Sequence, residues 1–153
     1  MFILSATLED LPVILALNHK LFTYEQTYTN TYSLDWTYSD IGKAYFSGRI
    51  MEKNGICLIA HKKNKIIGYA CGYTYFFSAR NPSQLAELEN IYVEEAYRSR
   101  GVGSQLVNAF EARARRKGAK ILKIRALIKN TQAHAFYKHT GFNEAGVIFE
   151  KLL

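Results

Sequence analysis

A chain of 153 residues that is 48% hydrophobic and 22% charged has the composition of one globular domain, which excludes a disordered or low-complexity polypeptide. The formal net charge of +7 favours an anionic partner, and the basic residues between Arg98 and Lys129, with Glu111 the only acid among them, are too interspersed to be a simple basic tail. No apolar run is long enough to span a bilayer and the opening residues lack a basic n-region and a long apolar h-region, so neither a membrane partner nor a signal peptide is expected and a cytoplasmic location is.

Residues 2–6 (FILSA) read as a short strand. Residues 7–22 follow as a helix. Thr7 and Asp10 form a capping-box-like start, Pro12 falls near the first turn where a missing N–H is tolerated, and Leu11, Ile14, Leu15 and Leu17 form the apolar stripe. Residues 23–38 have no clear period and are crowded with Tyr24, Tyr28, Tyr32, Trp36 and Tyr38, which predicts a loop or an irregular helix. Residues 39–55 read as a second helix capped by Ser39 and closed near Gly55. The β-rich runs 56–61 and 66–76, separated by KKNK, predict a hairpin. They carry Cys57 and Cys71, read as core thiols in a reducing compartment. After a loop containing Pro82, residues 85–93 form the next strand, and a period of two puts Leu85, Glu87, Glu89, Ile91 and Val93 on one face. A helix runs through 104–118 on Leu106, Val107 and Phe110, with Gly118 just past its end. Residues 119–127 are a strand, 130–141 a short helix, and 144–153 a last strand. There is no repeat, linker or low-complexity tract, so residues 1–153 are read as a single domain of the α/β class, a mixed sheet flanked by about four helices.

Between strand and helix sits RSRGVG, Arg98 to Gly103. The first N–H groups of a helix lack backbone partners and carry partial positive charge, which suits a phosphate. Gly101 and Gly103 let backbone approach an anion closely, and Arg98 and Arg100 add forked donors. Two familiar cradles fail the test. A Walker A loop needs Lys followed by Ser or Thr after its last glycine, and Ser104-Gln105 stands there. A dinucleotide fingerprint needs a third glycine where Leu106 stands, and an acid about 20 residues on where the chain reads ILKIRAL. Four histidines (His19, His61, His134 and His139) show no metal spacing, and no metal is expected.

With its neighbours, the loop resembles the phosphate loop of the GNAT superfamily of N-acetyltransferases, Q/R-x-x-G-x-G/A, following a strand of the type LENIYV and opening a helix. A second motif of that superfamily, N-x-x-A-x-x-F-Y-x-x-x-G-F, is matched by Asn130, Ala133, Phe136, Tyr137, Gly141 and Phe142. The resemblance spans nearly the whole chain. It implies a mostly antiparallel mixed sheet with two splayed parallel strands, and acetyl-CoA as cosubstrate. By it, Arg98, Ser99, Arg100, Gly101, Val102, Gly103 and Ser104 hold the pyrophosphate. The backbone of Ile91, Tyr92 and Val93 pairs with the pantetheine amides, and Asn130, Phe136 and Tyr137 flank its thiol end. Tyr137 would protonate the leaving thiolate. It also admits a homodimer, which no sequence feature fixes.

Acetyl transfer to a primary amine needs a base, since an alkylammonium of pKa about 10.4 is protonated at neutral pH. Glu89 and then Glu87 are the candidates, two apart on the strand that aims at the thioester. The resemblance places the acceptor side on residues 23–38 and the loop 76–84, and in the first of these Tyr24, Glu25, Tyr28 and Trp36 suit a cationic small-molecule or peptide amine. Two rival readings share the charge pattern: a CoA-binding sensor without activity, and a basic nucleic-acid-binding module. No nucleic-acid motif appears, so no nucleic-acid partner is expected.

Overall fold

Five strands form one sheet in chain order: β1 (Phe2–Ser5), β2 (Gly55–Lys62), β3 (Lys65–Phe76), β4 (Gln84–Val93) and β5 (Ile121–Ile124). The computed structural model describes residues 1–153. The first three joints are antiparallel and β4–β5 is parallel, the mixed, mostly antiparallel sheet expected. Helices α1 (Leu11–Glu25) and α2 (Asp40–Met51) cover one face; α3 (Val102–Arg116) and α4 (Thr131–His139) cover the other. None of them is long and apolar enough to cross a membrane.

The apolar stripes decide which side each helix takes. Leu106, Val107 and Phe110 of α3 are fully buried against Leu58, Ile67, Ala86 and Leu88. Ile14, Leu15 and Leu17 of α1 and Phe46 of α2 close over Cys57, Ile59, Tyr69 and Cys71. The two cysteines face each other across β2–β3 as free, buried thiols. Asn18 is buried within the α1 stripe and satisfied: its amide donates to Tyr69 Oη at 3.0 Å and its carbonyl accepts from Thr37 Oγ1 at 2.7 Å. Ser39 caps α2, accepting from Gly42 N at 3.1 Å. That helix ends at Met51 rather than near Gly55, which opens β2. Gly118, at φ +89°, ends α3 with Ala119 N bonded back to Ala114 O at 3.0 Å.

One irregularity in β4 shapes everything that follows. Cys71 pairs with Asn90 and Gly72 with Leu88, so Glu89 is an extra residue on its strand, a β-bulge. Alternation flips there. Ala86 and Leu88, then Ile91 and Val93, pack toward α3, while Glu89, Asn90 and Tyr92 turn toward α1 and α2. The expected single face from Leu85 to Val93 is therefore corrected: Glu87 and Glu89 lie on the side opposite Ile91 and Val93. A bulge also bends its strand. Pairing with β5 stops at Leu88↔Ile124, the residue before the bulge, so β5 is shorter than the 119–127 strand expected.

The last expected strand does not form. Residues 143–153 make no ladder, and Val147, Ile148, Phe149, Leu152 and Leu153 are exposed. Strand propensity becomes a strand only where a neighbour supplies backbone partners and a face to bury against, and this segment has neither.

Candidate functional site

The chain leaves β4 through one turn at Glu95–Tyr97 and reverses over Arg98 to Gly101. Ser99 (φ +57°) and Gly101 (φ +77°) both take the left-handed conformation, which turns successive amides toward one side. Gly101 is the N-cap of α3 and offers no side chain to it. The N–H groups of Val102, Gly103 and Ser104 consequently have no partner in the protein. This is the open, positively polarised helix start that the sequence suggested. Gly103 has a different task from Gly101: a Cβ there would lie 3.1 Å from the Phe136 ring, so its absence lets α4 seat against the loop.

Arg98 departs from the expected role. Its Nε donates to Val93 O at 2.9 Å and its guanidinium lies 5.2 Å from the ring centres of both Tyr24 and Tyr92. It clamps the end of β4 to α1. Arg100 forms no ion pair, leaving its guanidinium to supply positive charge beside the loop.

Beyond Leu88 the β5 side of β4 carries no strand, and this gap leads from the helix start toward α4. Ile91, Val93 and Phe136 are half-buried around it. Asn130 caps α4, its Oδ1 accepting from Ala133 N at 3.1 Å. Asn130→Ala is expected to lower unfolding stability by about 1 kcal/mol in a denaturant titration. Tyr137 packs edge-on to Phe136 and Phe142 with ring centres 5.3 and 5.8 Å away. Its hydroxyl has no protein partner and is pushed well above the usual tyrosine range, by burial first and then by the nearby Glu25 charge. It keeps its proton at neutral pH.

The two strand carboxylates are both engaged. Glu89 takes Arg49 Nε at 2.7 Å and Tyr45 Oη at 2.7 Å on one oxygen, and Arg49 Nη2 at 3.1 Å on the other. Arg49 in turn lies over the Tyr45 and Tyr73 rings, 4.8 and 4.3 Å from their centres. Burial alone would lower the guanidinium's pKa, but the Glu89 contacts outweigh it and hold Arg49 charged. Asn90 Nδ2 donates to Tyr45 Oη at 2.9 Å, so both residues at the bulge are tied to one α2 side chain. Glu89, expected as the base, accepts three hydrogen bonds from Arg49 and Tyr45 that tie the bulge to α2. Glu87 has a looser partner, Lys123 Nζ at 3.8 Å.

Sequence reading missed Arg49 and Tyr45. Their spacing of four along α2 puts them on one helix turn face, but nothing in the sequence joins that face to β4. The acceptor-side residues divide. Trp36 is a packing residue, 5.4 Å from Tyr45 and 6.3 Å from Phe46 between ring centres. Tyr24, Glu25 and Tyr28 lie at the end of α1, where Tyr24 Oη meets Tyr28 Oη at 3.0 Å and Gln132 of α4 at 3.4 Å.

Known proteins resemble this chain in sequence and in fold. The chain is 26% identical over 104 residues to an uncharacterized N-acetyltransferase of Methanocaldococcus jannaschii, a match covering 68% of this chain and only 46% of that protein. It is 26% identical over 108 residues to the aminoalkylphosphonate N-acetyltransferase of Salmonella typhimurium, covering 71% and 70% of the two chains. Among solved structures, the aminoglycoside N-acetyltransferase AAC(6')-Iy in complex with CoA superposes with a TM-score of 0.77 at 21% identity, over 99% of this chain and 93% of that one. The model of the acetyltransferase (GNAT) family matches residues 19–142, and with this sheet, loop and helix start the chain belongs to that family.

Proposed function

We propose that the chain is an N-acetyltransferase that moves the acetyl group of acetyl-CoA to a primary amine by direct attack in a ternary complex. The observation that carries this reading is the uncapped start of α3, with the free N–H groups of Val102, Gly103 and Ser104 beside the strandless edge of β4. A pyrophosphate satisfies those donors, and the Arg100 guanidinium adds charge. An extended pantetheine arm fits along Ile91, Tyr92 and Val93, past Asn130 and Phe136. Acetyl-CoA supplies an activated acyl carbon; the protein orients it and manages protons. Tyr137 is the proton donor to the leaving sulfur, its hydroxyl being protonated and free. Glu87 and the end of α1 give the acceptor side a negative lining that draws a cationic amine.

The activities of two similar proteins support an amine acceptor. The Salmonella relative acts on aminoalkylphosphonates, and the CoA-bound neighbour is an aminoglycoside N-acetyltransferase. The test is a calorimetric titration with acetyl-CoA followed by thiol-release assays across aminoglycosides, aminoalkylphosphonates, polyamines and peptide N-termini. One acetyl-CoA per chain and thiol release dependent on one amine class are expected. Absence of acetyl-CoA binding sinks the reading.

A further inference from the structure

We infer that Glu25, not a β4 carboxylate, is the group that takes the proton from the attacking amine. This deepens the acetyl-transfer reading and rests on it. Of the two strand carboxylates, Glu89 is occupied by Arg49 and Tyr45, and Glu87 faces the Lys123 ammonium at 3.8 Å. Glu25 has neither an ion pair nor a side-chain hydrogen bond, yet it is half-buried. It is the last residue of α1, next to Tyr24, and the Tyr24 ring carries the Arg98 clamp on β4 while its hydroxyl reaches Gln132 on α4. The α1 terminus thus bridges the two elements that flank the gap. The Tyr24–Gln132 contact brings the end of α1 up to α4, the helix that carries Tyr137, and the Glu25 charge acts on the Tyr137 hydroxyl.

Its surroundings suit a base. The titratable groups that feel it are Tyr24 on α1, Tyr32 in the following loop, Tyr69 on β3 and Tyr137 on α4. Tyr28 and Arg98 face Tyr24, and Arg125 and Glu150 face Tyr32. No cation acts on Glu25 itself, and burial raises its carboxyl to about 7. A base poised near the working pH combines an available ionised form with useful proton affinity.

The step balances as follows. The Glu25 carboxylate takes one proton from R–NH3+. The neutral nitrogen's lone pair forms the C–N bond at the thioester carbonyl, and the C–S bond breaks with its electron pair on sulfur. Tyr137 gives its proton to that sulfur and recovers one from the nitrogen. An amide and a free thiol leave, and Glu25 returns its proton to water.

Glu25→Gln tests this in the full chain with acetyl-CoA and sisomicin, aminoethylphosphonate or spermidine as acceptor. Expected is a fall in kcat of about 100-fold near neutral pH. The wild-type rate should rise to a plateau above pH 7. The variant's log rate should instead climb with unit slope through pH 9, tracking free amine. A raised KM with intact kcat would mean that Glu25 only binds the cation, and it overturns the inference. So does an unchanged profile, or loss of the plateau in Glu87→Gln instead. A folding control comes from linkage: the raised carboxyl makes the folded state lose stability between about pH 4.5 and 7, so Glu25→Gln should melt higher than wild type at pH 8 and equally at pH 4. If acetyl-CoA binds but no acceptor reacts, carboxyl 13C titration decides. A resonance absent from Glu25→Gln and titrating near 7 sustains the inference, and one near 4.5 overturns it. Wild-type protein that binds no acetyl-CoA defeats the acetyl-transfer reading itself, and this inference with it.

Discussion

Ser104→Asp is expected to weaken acetyl-CoA binding about 1,000-fold while raising the melting temperature of the ligand-free protein. Ser104 is the third residue of α3, in the turn whose N–H groups are open. A carboxylate there meets the positive end of the helix and stabilises the empty fold by about 0.3–1 kcal/mol. The same carboxylate stands where the pyrophosphate must bind. At about 4 Å and an effective dielectric near 20, one like-charge pair costs about 4 kcal/mol, and each 1.4 kcal/mol is tenfold. Scanning fluorimetry of the empty protein and calorimetry with acetyl-CoA should therefore move in opposite directions. Unchanged affinity would remove the α3 start from the site.

Arg49→Met should cost about 3 kcal/mol of stability, and adding Glu89→Gln should restore most of it. The pair is largely withdrawn from water, with 17% and 22% of the two side chains accessible. Removing only the guanidinium strands a carboxylate that had accepted two of its N–H groups, and breaking such a pair is far more costly than replacing both members. Met keeps the apolar contact with the Tyr45 and Tyr73 rings while deleting the charge. A double-mutant cycle in urea isolates the coupling. A single-variant loss under about 0.5 kcal/mol would mean that the bulge is held by backbone alone.

The loop and the helices were legible because local rules set them. The glycine pattern at 101 and 103, the stripe at Leu106, Val107 and Phe110, and the cap at Ser39 all act over a few residues. Side-chain direction along β4 was not legible. One extra residue at Glu89 inverts every assignment after it, and a bulge has no period to reveal it. Arg98 fits the loop pattern but is drawn back by Val93 O and two tyrosine rings, contacts that exist only once α1 is in place. Glu25 was legible only as an acceptor-side residue that could meet a cationic amine, since burial and the lack of a counter-ion are properties of the assembled cleft. The segment 144–153 carries the strand-forming run Val147, Ile148 and Phe149 but meets no partner.

If the proposed site holds, the bare start of α3 ties the protein's stability to its donor. Residues that bind only in the folded state make ligand supply a stabilising force, worth about 2.7 kcal/mol when the free ligand is a hundredfold above its dissociation constant. A fold whose helix terminus lacks a side-chain cap draws on that supply in place of a built-in cap. By the proposed site, a cell short of acetyl-CoA would hold this protein nearer to unfolding and to proteolysis. Its abundance would then follow carbon supply without any dedicated regulator.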